Sequence, residues 1–599
     1  MKSWPSRALF LAGAAALAVA IPAFSQEGEA PESLLPPGFG DPDNLPPPEE
    51  KAAPTPGPQR PAPVSIAPGL RQTDGEDEEE LEELDPLEQR RPINYFSIPE
   101  GAARPVNPVG LIGPGGFGLA PNAFGRTDGV FLATLMGRLD APVPSRWTSI
   151  LLRRALMTRV TAPPRVHPVD WVAHRADLLL RMGEADAARM LVQSIDQPFY
   201  TPRMVEVAAR TALATADPAA LCPLVGAADS SETVWKLADA MCAALEGEAA
   251  RASALVDEAR RRGNVSAIDF ALAEKVIGAG AEARRSATLE WEPVSGLNAW
   301  RLGLASATGA EIPDRLLDGA APAMRAWRAR APMVPLEQRL SAASVAASLG
   351  VFSSRSMVEM HSLALDRTDP AEAAGTVGAR LRSAWTERGP EARLEAMRGL
   401  WQEAASAHER HARLILTAGA AARIPPASDH AADAANLIAS MLTAGLDRAA
   451  ARWSDVVQQS GDGRSWAMLA VASPSPSVDL NANRIEAFID ADEAGHRRSQ
   501  MLLAALAGLN RLNEGDASRL ASSVGLALGG EGGRWAQAID RAAANRETGT
   551  VALLAAVGMQ SGGWHGVPPA HLFRIVRALR TAGLEYEARM IAAEAIARL

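Results

Sequence analysis

The sequence predicts an all-α protein: helical-hairpin repeats stacked as an α-solenoid, preceded by a signal peptide and a disordered Pro-rich acidic tether. Three observations lead there. From Ser145 to Leu599, apolar residues recur at helical spacing in runs of about 10 to 18, punctuated by Pro, Gly, Asp and Ser, without sustained two-residue alternation. A pattern of apolar helix, Gly, four residues, then Ala inside a second apolar helix recurs along the chain. Roughly 455 residues of such helices exceed what one compact bundle holds, whereas a stack grows without that limit because each hairpin needs only its neighbours.

The pattern is clearest between Ala173 and Ile195, where Leu178, Leu179 and Met182 precede Gly183, and Ala187, Met190 and Leu191 come after it. It falls at Gly183/Ala188, Gly247/Ala252, Gly445/Ala450 and Gly583/Ala588. Gly supplies the left-handed backbone that ends the first helix, and the small Ala lets the second pack closely. These four matches resemble the tetratricopeptide-like helical repeats, whose hairpins carry a Gly and a small Ala at this separation. They lack the aromatic and proline pattern of that family, and an irregular all-helical domain is the alternative. The resemblance implies a superhelix with a concave binding face.

Taken in order, residues 1–25 read as a secretory signal: Lys2 and Arg7, the small and apolar run Ala8 to Ala20, then Ala23-Phe24-Ser25 before a mature start near Gln26. An uncleaved anchor is the alternative, although the run is short for a membrane span. Residues 26–90 are rich in Pro, Glu, Asp and Gly and cannot bury enough apolar surface to offset chain entropy, which predicts a tether. They hold 17 acidic and 4 basic residues, against 53 and 54 in residues 91–599, so the net charge of -10 belongs to the tether and the body is near neutral. Within it, Leu81, Leu84 and Leu87 lie three apart amid carboxylates. They form either a docking motif for a basic, apolar groove or part of a solvated charge run. Residues 91–144 combine Gly and Pro with Tyr95, Phe96, Phe117, Phe124 and Phe131, which predicts an extended segment burying its aromatics along the body.

Helical repeats occupy 145–331 and 332–599, divided at the Pro-rich loop Ala331 to Pro335; Ala472 to Asn483 is a second candidate break. Thr201-Pro202, Asp217-Pro218 and Asp369-Pro370 each place a capping side chain before a Pro at the first helical position. The final hairpin, Leu572 to Leu599, is the candidate cap of the stack.

Few residues offer chemistry. Cys222 and Cys242, the only cysteines, lie twenty apart on adjacent predicted helices, which in an exported chain points to a disulfide; two buried thiols are the alternative. His408 and His411 share a helix face but lack a third ligand at metal-site spacing, and Glu409, Arg410 and Arg413 suggest a solvated face, so no metal or cofactor is expected. Gly558-Met559-Gln560 is similar to a Gly-x-Met-Gln stretch of soluble lytic transglycosylases, an implication that would make Glu547 the acid; here the spacer is missing and Glu547 precedes Thr. Gly113 to Gly118 comes after no predicted strand, which excludes a phosphate loop, and a neutral body offers no basic stripe for nucleic acid. Thirteen Trp against three Tyr is unusual; Trp300-Arg301, Trp327-Arg328 and Arg534-Trp535 are core or stacking surfaces.

With no catalytic signature, the sequence favours a non-enzymatic periplasmic scaffold whose partner is an envelope protein or a cell-wall polymer. No stable membrane span is expected after signal cleavage. A glycan-acting envelope enzyme is the alternative, and a pocket with a buried carboxylate would favour it.

Overall fold

The computed structural model describes residues 98, 101–228, 232–280, 287–492, 495–529 and 533–599. The expected signal segment, the tether with Leu81, Leu84 and Leu87, and Tyr95 and Phe96 lie outside these residues. The fold is all-α. Among the described residues the only extended pairings are two isolated bridges, Val109 with Val160 and Ile112 with Thr158, and no helix is long and apolar enough to cross a membrane.

Local chemistry accounts for many helix starts. Ser145, Thr201 and Ser406 each accept a backbone N–H three residues on, opening Arg146–Met157, Pro202–Ala214 and Ala407–Ala421. Asp369 likewise caps Pro370–Ala373. Asp217 does not cap: its carboxylate pairs with Arg189, and Pro223 interrupts the next segment, so Pro218–Ala227 is a 3-10 helix where an α-helix was expected.

The hairpin turn is one structure repeated. At Gly183, Gly247, Gly445 and Gly583 the φ angles are 91°, 82°, 74° and 88°. Ala188, Ala252, Ala450 and Ala588 are buried in the second helices of these hairpins. The Gly183 N–H donates to Leu180 and the Glu184 N–H to Leu179, satisfying two of the carbonyls a helix end leaves free. The same pair of bonds recurs at Ala216, Gly350, Asn510, Gly525 and Arg546, for nine such turns among the described residues. Three of them carry a side chain on a left-handed residue, at about 1 kcal/mol each. Gly445 has a further constraint, because a Cβ there would run into the Tyr586 hydroxyl and the Trp147 ring.

Three apolar cores result. Among the described residues the first joins 109–224 to 384–596, the second covers 212–316 and the third 326–416. The expected division at residue 331 therefore does not separate cores: Ala326 and Ala329 before the loop share the third with Ala343 and Ala346 after it, and Pro92–Leu599 is a single unit. Beside the second core Cys222 and Cys242 are joined by a disulfide, with their Cα atoms 5.5 Å apart, fastening the 3-10 segment to helix Thr233–Leu245.

One expectation needs correction. Residues 91–144 are not extended throughout. Asp128 caps a helix at Gly129–Arg138 that buries Leu132, Ala133 and Met136, and while Phe124 is buried, Phe117 and Phe131 are exposed. The preceding strap is held by Arg175, which is fully buried and donates to the carbonyls of Leu156, Val109 and Thr158 at 2.6, 3.0 and 2.7 Å. The last hairpin, the candidate cap of the stack, is deeply packed. Helix Glu585–Ala597 is buried from Ala588 to Ile596, because its alanines admit neighbours on every side.

That helix also secures the first one of the repeat body. The Glu594 carboxylate accepts from the Ser145 hydroxyl at 2.7 Å and from the Arg146 and Trp147 amides at 2.9 and 3.1 Å, bonds that span nearly 450 residues of sequence. The Arg146 guanidinium, also buried, donates to the carbonyls of Phe352, Thr443 and Ala347. Burial lowers its pKa to about 10, opposed by the nearby Glu594 charge.

Replacing Glu594 by Ala strands these donors, and urea unfolding is expected to show a loss of about 3–5 kcal/mol. Removing the disulfide with Cys222→Ser and Cys242→Ser is expected to cost about 3 kcal/mol from its twenty-residue loop. Amide exchange should then rise in residues 212–316 before it rises around Glu594.

Candidate functional site

A cavity of about 750 Å³ lies where the strap and the helix Gly129–Arg138 meet the hairpin of Arg534–Ala544 and Thr548–Gly558. Its size is that of a small-ligand pocket. Helix Arg534–Ala544 buries Ala536, Ile539, Ala542 and Ala543, so Arg534, Gln537, Arg541 and Asn545 form a stripe along its open side. Its remaining charged side is neutralised, since Asp540 pairs with Arg574 and Arg577.

The floor is built by a turn. Arg546, at φ 55°, ends the first helix, and Glu547 opens the second. The first free amide donors of that second helix, Gly549 and Thr550, are satisfied by the Ala123 carbonyl at 2.7 and 3.3 Å. The Phe124 ring covers Gly549 and meets Trp171 edge-on at 5.1 Å. Gly125 lies so close to Glu547 that a Cβ would collide with its carboxyl group. Thr127 donates its hydroxyl to Glu547 Oε2, whereas Oε1 has no protein partner among the described residues.

Charge is unbalanced at this site. Arg126, Arg534 and Arg541 line the cavity and are exposed, and their guanidinium groups make no ion pair or hydrogen bond with a described residue. Asp128 also lines it, but its carboxylate is spent on the Phe131 amide and on Arg165, which hold its pKa below the usual carboxylate value. Two rings complete the wall: Phe131, 41% exposed, and half-buried Trp535, whose indole donates to the Leu554 carbonyl at 2.9 Å and packs on His571 at 4.4 Å.

Glu547 holds the turn position that Glu184 and Glu248 hold in their own hairpins. Glu184 is bound by Arg153 at 2.5 Å and Glu248 by Arg251 at 2.9 Å; Glu547 has a hydroxyl in place of an arginine. Gly558-Met559-Gln560 lies at the opposite end of helix Thr548–Gly558, about 16 Å away. There Met559 is buried and Gln560 accepts from the Asp140 amide, so the stretch packs helices together and does not face Glu547.

The other flagged residues lie elsewhere. The face expected to be solvated around His408 and His411 is not so at His411, which is buried between the first and last helices of the repeat body near Arg146 and Arg598. Among the described residues no group of three or more His, Cys, Asp or Glu is placed to hold a metal ion. Trp300 is buried and Trp327 half-buried, their indoles donating to the carbonyls of Asp269 and Leu180, while Arg301 pairs with Asp269 at 2.8 Å and Arg328 bonds Gln338. Comparison with protein-family models, with curated proteins and with solved structures gives no match.

Buried histidines make stability depend on pH. Burial, reinforced by Arg413, lowers the pKa of His361 to about 4; burial with Arg598 and Arg146 nearby holds that of His411 well below 6.5. Each is neutral when folded and takes up a proton on unfolding below about pH 6.5, so stability is full above that value and falls with acidification. The slope approaches about 1.4 kcal/mol per pH unit for each histidine. The urea midpoint is expected to drop between pH 7 and pH 5, with a shallower drop in His361→Gln. Equal drops in both proteins would contradict the assignment.

Proposed function

We propose that this chain is a non-enzymatic helical-repeat scaffold of the bacterial cell envelope, exported by residues 1–25 and carried on the acidic tether, whose body binds a protein or a cell-wall polymer. Two kinds of support differ in reach. The nine matching turns support a tetratricopeptide-like, solenoid-type stacking of hairpins, which presents long surfaces. The observation that carries the binding reading is the open cavity with three arginines unpaired among the described residues, beside two aromatic rings. Arginines held without partners at a cavity lose nothing internal when a ligand takes them, which is what a binding surface requires.

A glycan-acting enzyme resembling soluble lytic transglycosylases is the second reading, favoured by the buried position of Glu547 at the cavity floor. Against it stand the separation of Glu547 from Gly558-Met559-Gln560 and its place in a turn that uses Glu elsewhere for helix packing.

Expressed in a bacterial host, the chain is expected in the periplasmic fraction with a new N-terminus near Gln26. In-cell crosslinking should recover a defined envelope protein, or the protein should sediment with isolated cell-wall material. Retention in the cytoplasm overturns the export assignment, and failure to engage either partner overturns the scaffold. Release of glycan fragments by purified protein, abolished in Glu547→Gln, replaces it with the enzyme.

A further inference from the structure

We infer that the cavity between Gly129–Arg138 and Arg534–Ala544 is a binding site for an acidic sugar, a ring bearing hydroxyl groups and a carboxylate. This rests on the scaffold reading and names the chemistry of its ligand. Three features of the wall converge on that class.

First, the cations are available. Arg126, Arg534 and Arg541 carry three charges, and none of them is ion-paired to a described residue. A guanidinium offers paired N–H donors matched to a carboxylate, so an anion gains strong bonds here without breaking existing ones. Second, the rings suit a flat, partly apolar face. Phe131 is exposed at the wall, and Trp535 is held rigid by its bond to Leu554 and by His571 behind it. A ring already fixed loses little freedom when a ligand stacks on it.

The third feature separates a sugar from an acidic peptide. Beneath the arginines is the Glu547 carboxylate, 7% exposed, with Oε1 free of protein partners. A run of acidic side chains entering the cavity would meet this fixed negative charge, a repulsive contact in a poorly hydrated place. A hydroxyl group instead donates to it. The site thus offers cations to one end of the ligand and an acceptor to the other, the pairing that a carboxylated sugar presents.

Titration calorimetry of the full chain with a galacturonic acid trimer tests this, with maltotriose and a short polyglutamate as comparisons. The acidic trimer is expected to bind, to weaken with added salt, and to lose at least tenfold in affinity in Arg534→Ala/Arg541→Ala. Both arginines are exposed and unpaired among the described residues, so the variant should melt where the parent does. Glu547→Gln keeps an acceptor for Thr127 and supplies the sign test: it should weaken the sugar and strengthen polyglutamate. Absence of trimer binding, equal binding of maltotriose, indifference to the arginine pair, or tighter binding of polyglutamate to the parent each overturns the inference. Those results leave the scaffold standing if crosslinking or cell-wall sedimentation still finds a partner; loss of that partner removes the scaffold itself.

Discussion

A single buried carboxylate closes this fold. Helix Arg146–Met157 begins with amide donors that its own turns cannot satisfy, and the acceptor for two of them is Glu594, on the last helix. Its negative charge lies at the positive end of the first helix's dipole, in a setting where water does not compete. Arg146 then runs on from the same point to carbonyls of Ala347, Phe352 and Thr443. One anion and one cation therefore fix four separate parts of the sequence around a common point. The joined first core, and with it the position of the strap that builds the cavity, depends on that closure.

Helical class, hairpin turns and their glycines were legible because they are local. A left-handed residue after an apolar helix leaves a glycine in the sequence, and the four expected turns are present with their alanines buried. The turns at Ala216, Asn510 and Arg546 were not legible. Their hydrogen bonds are the same, but about 1 kcal/mol of backbone strain is tolerated in place of the glycine. The deep burial of the final hairpin was not legible for a related reason. Alanine reads as helix former in sequence, yet at Ala588, Ala592, Ala593 and Ala595 it acts as the absence of bulk that lets neighbouring helices close in.

The cavity was legible in pieces. The stripe Arg534, Gln537, Arg541 is visible from helical spacing alone, and Arg534-Trp535 drew notice as a stacking surface. What spacing cannot show is that Arg126 and Phe131 arrive from some 400 residues earlier, through the Ala123 carbonyl and Gly125 packing onto the Glu547 turn. Glu547 was singled out through an enzyme resemblance; its actual company is a threonine hydroxyl and three arginines unpaired among the described residues. Conversely, His411 looked solvated because its sequence neighbours are charged, and only the crossing of distant helices buries it.

The place of helix Glu585–Ala597 has a consequence for how the chain is made. A ribosome delivers this helix after all the others described. Until it arrives, the sides of Arg146–Met157 and Ala434–Thr443 that pack on it lack their cover and the amides at residues 146 and 147 have no acceptor. The early helices thus wait in an incomplete state while nearly 450 further residues are made. Closure of the first core is timed by the appearance of one distant helix, so folding there cannot simply follow the order of synthesis.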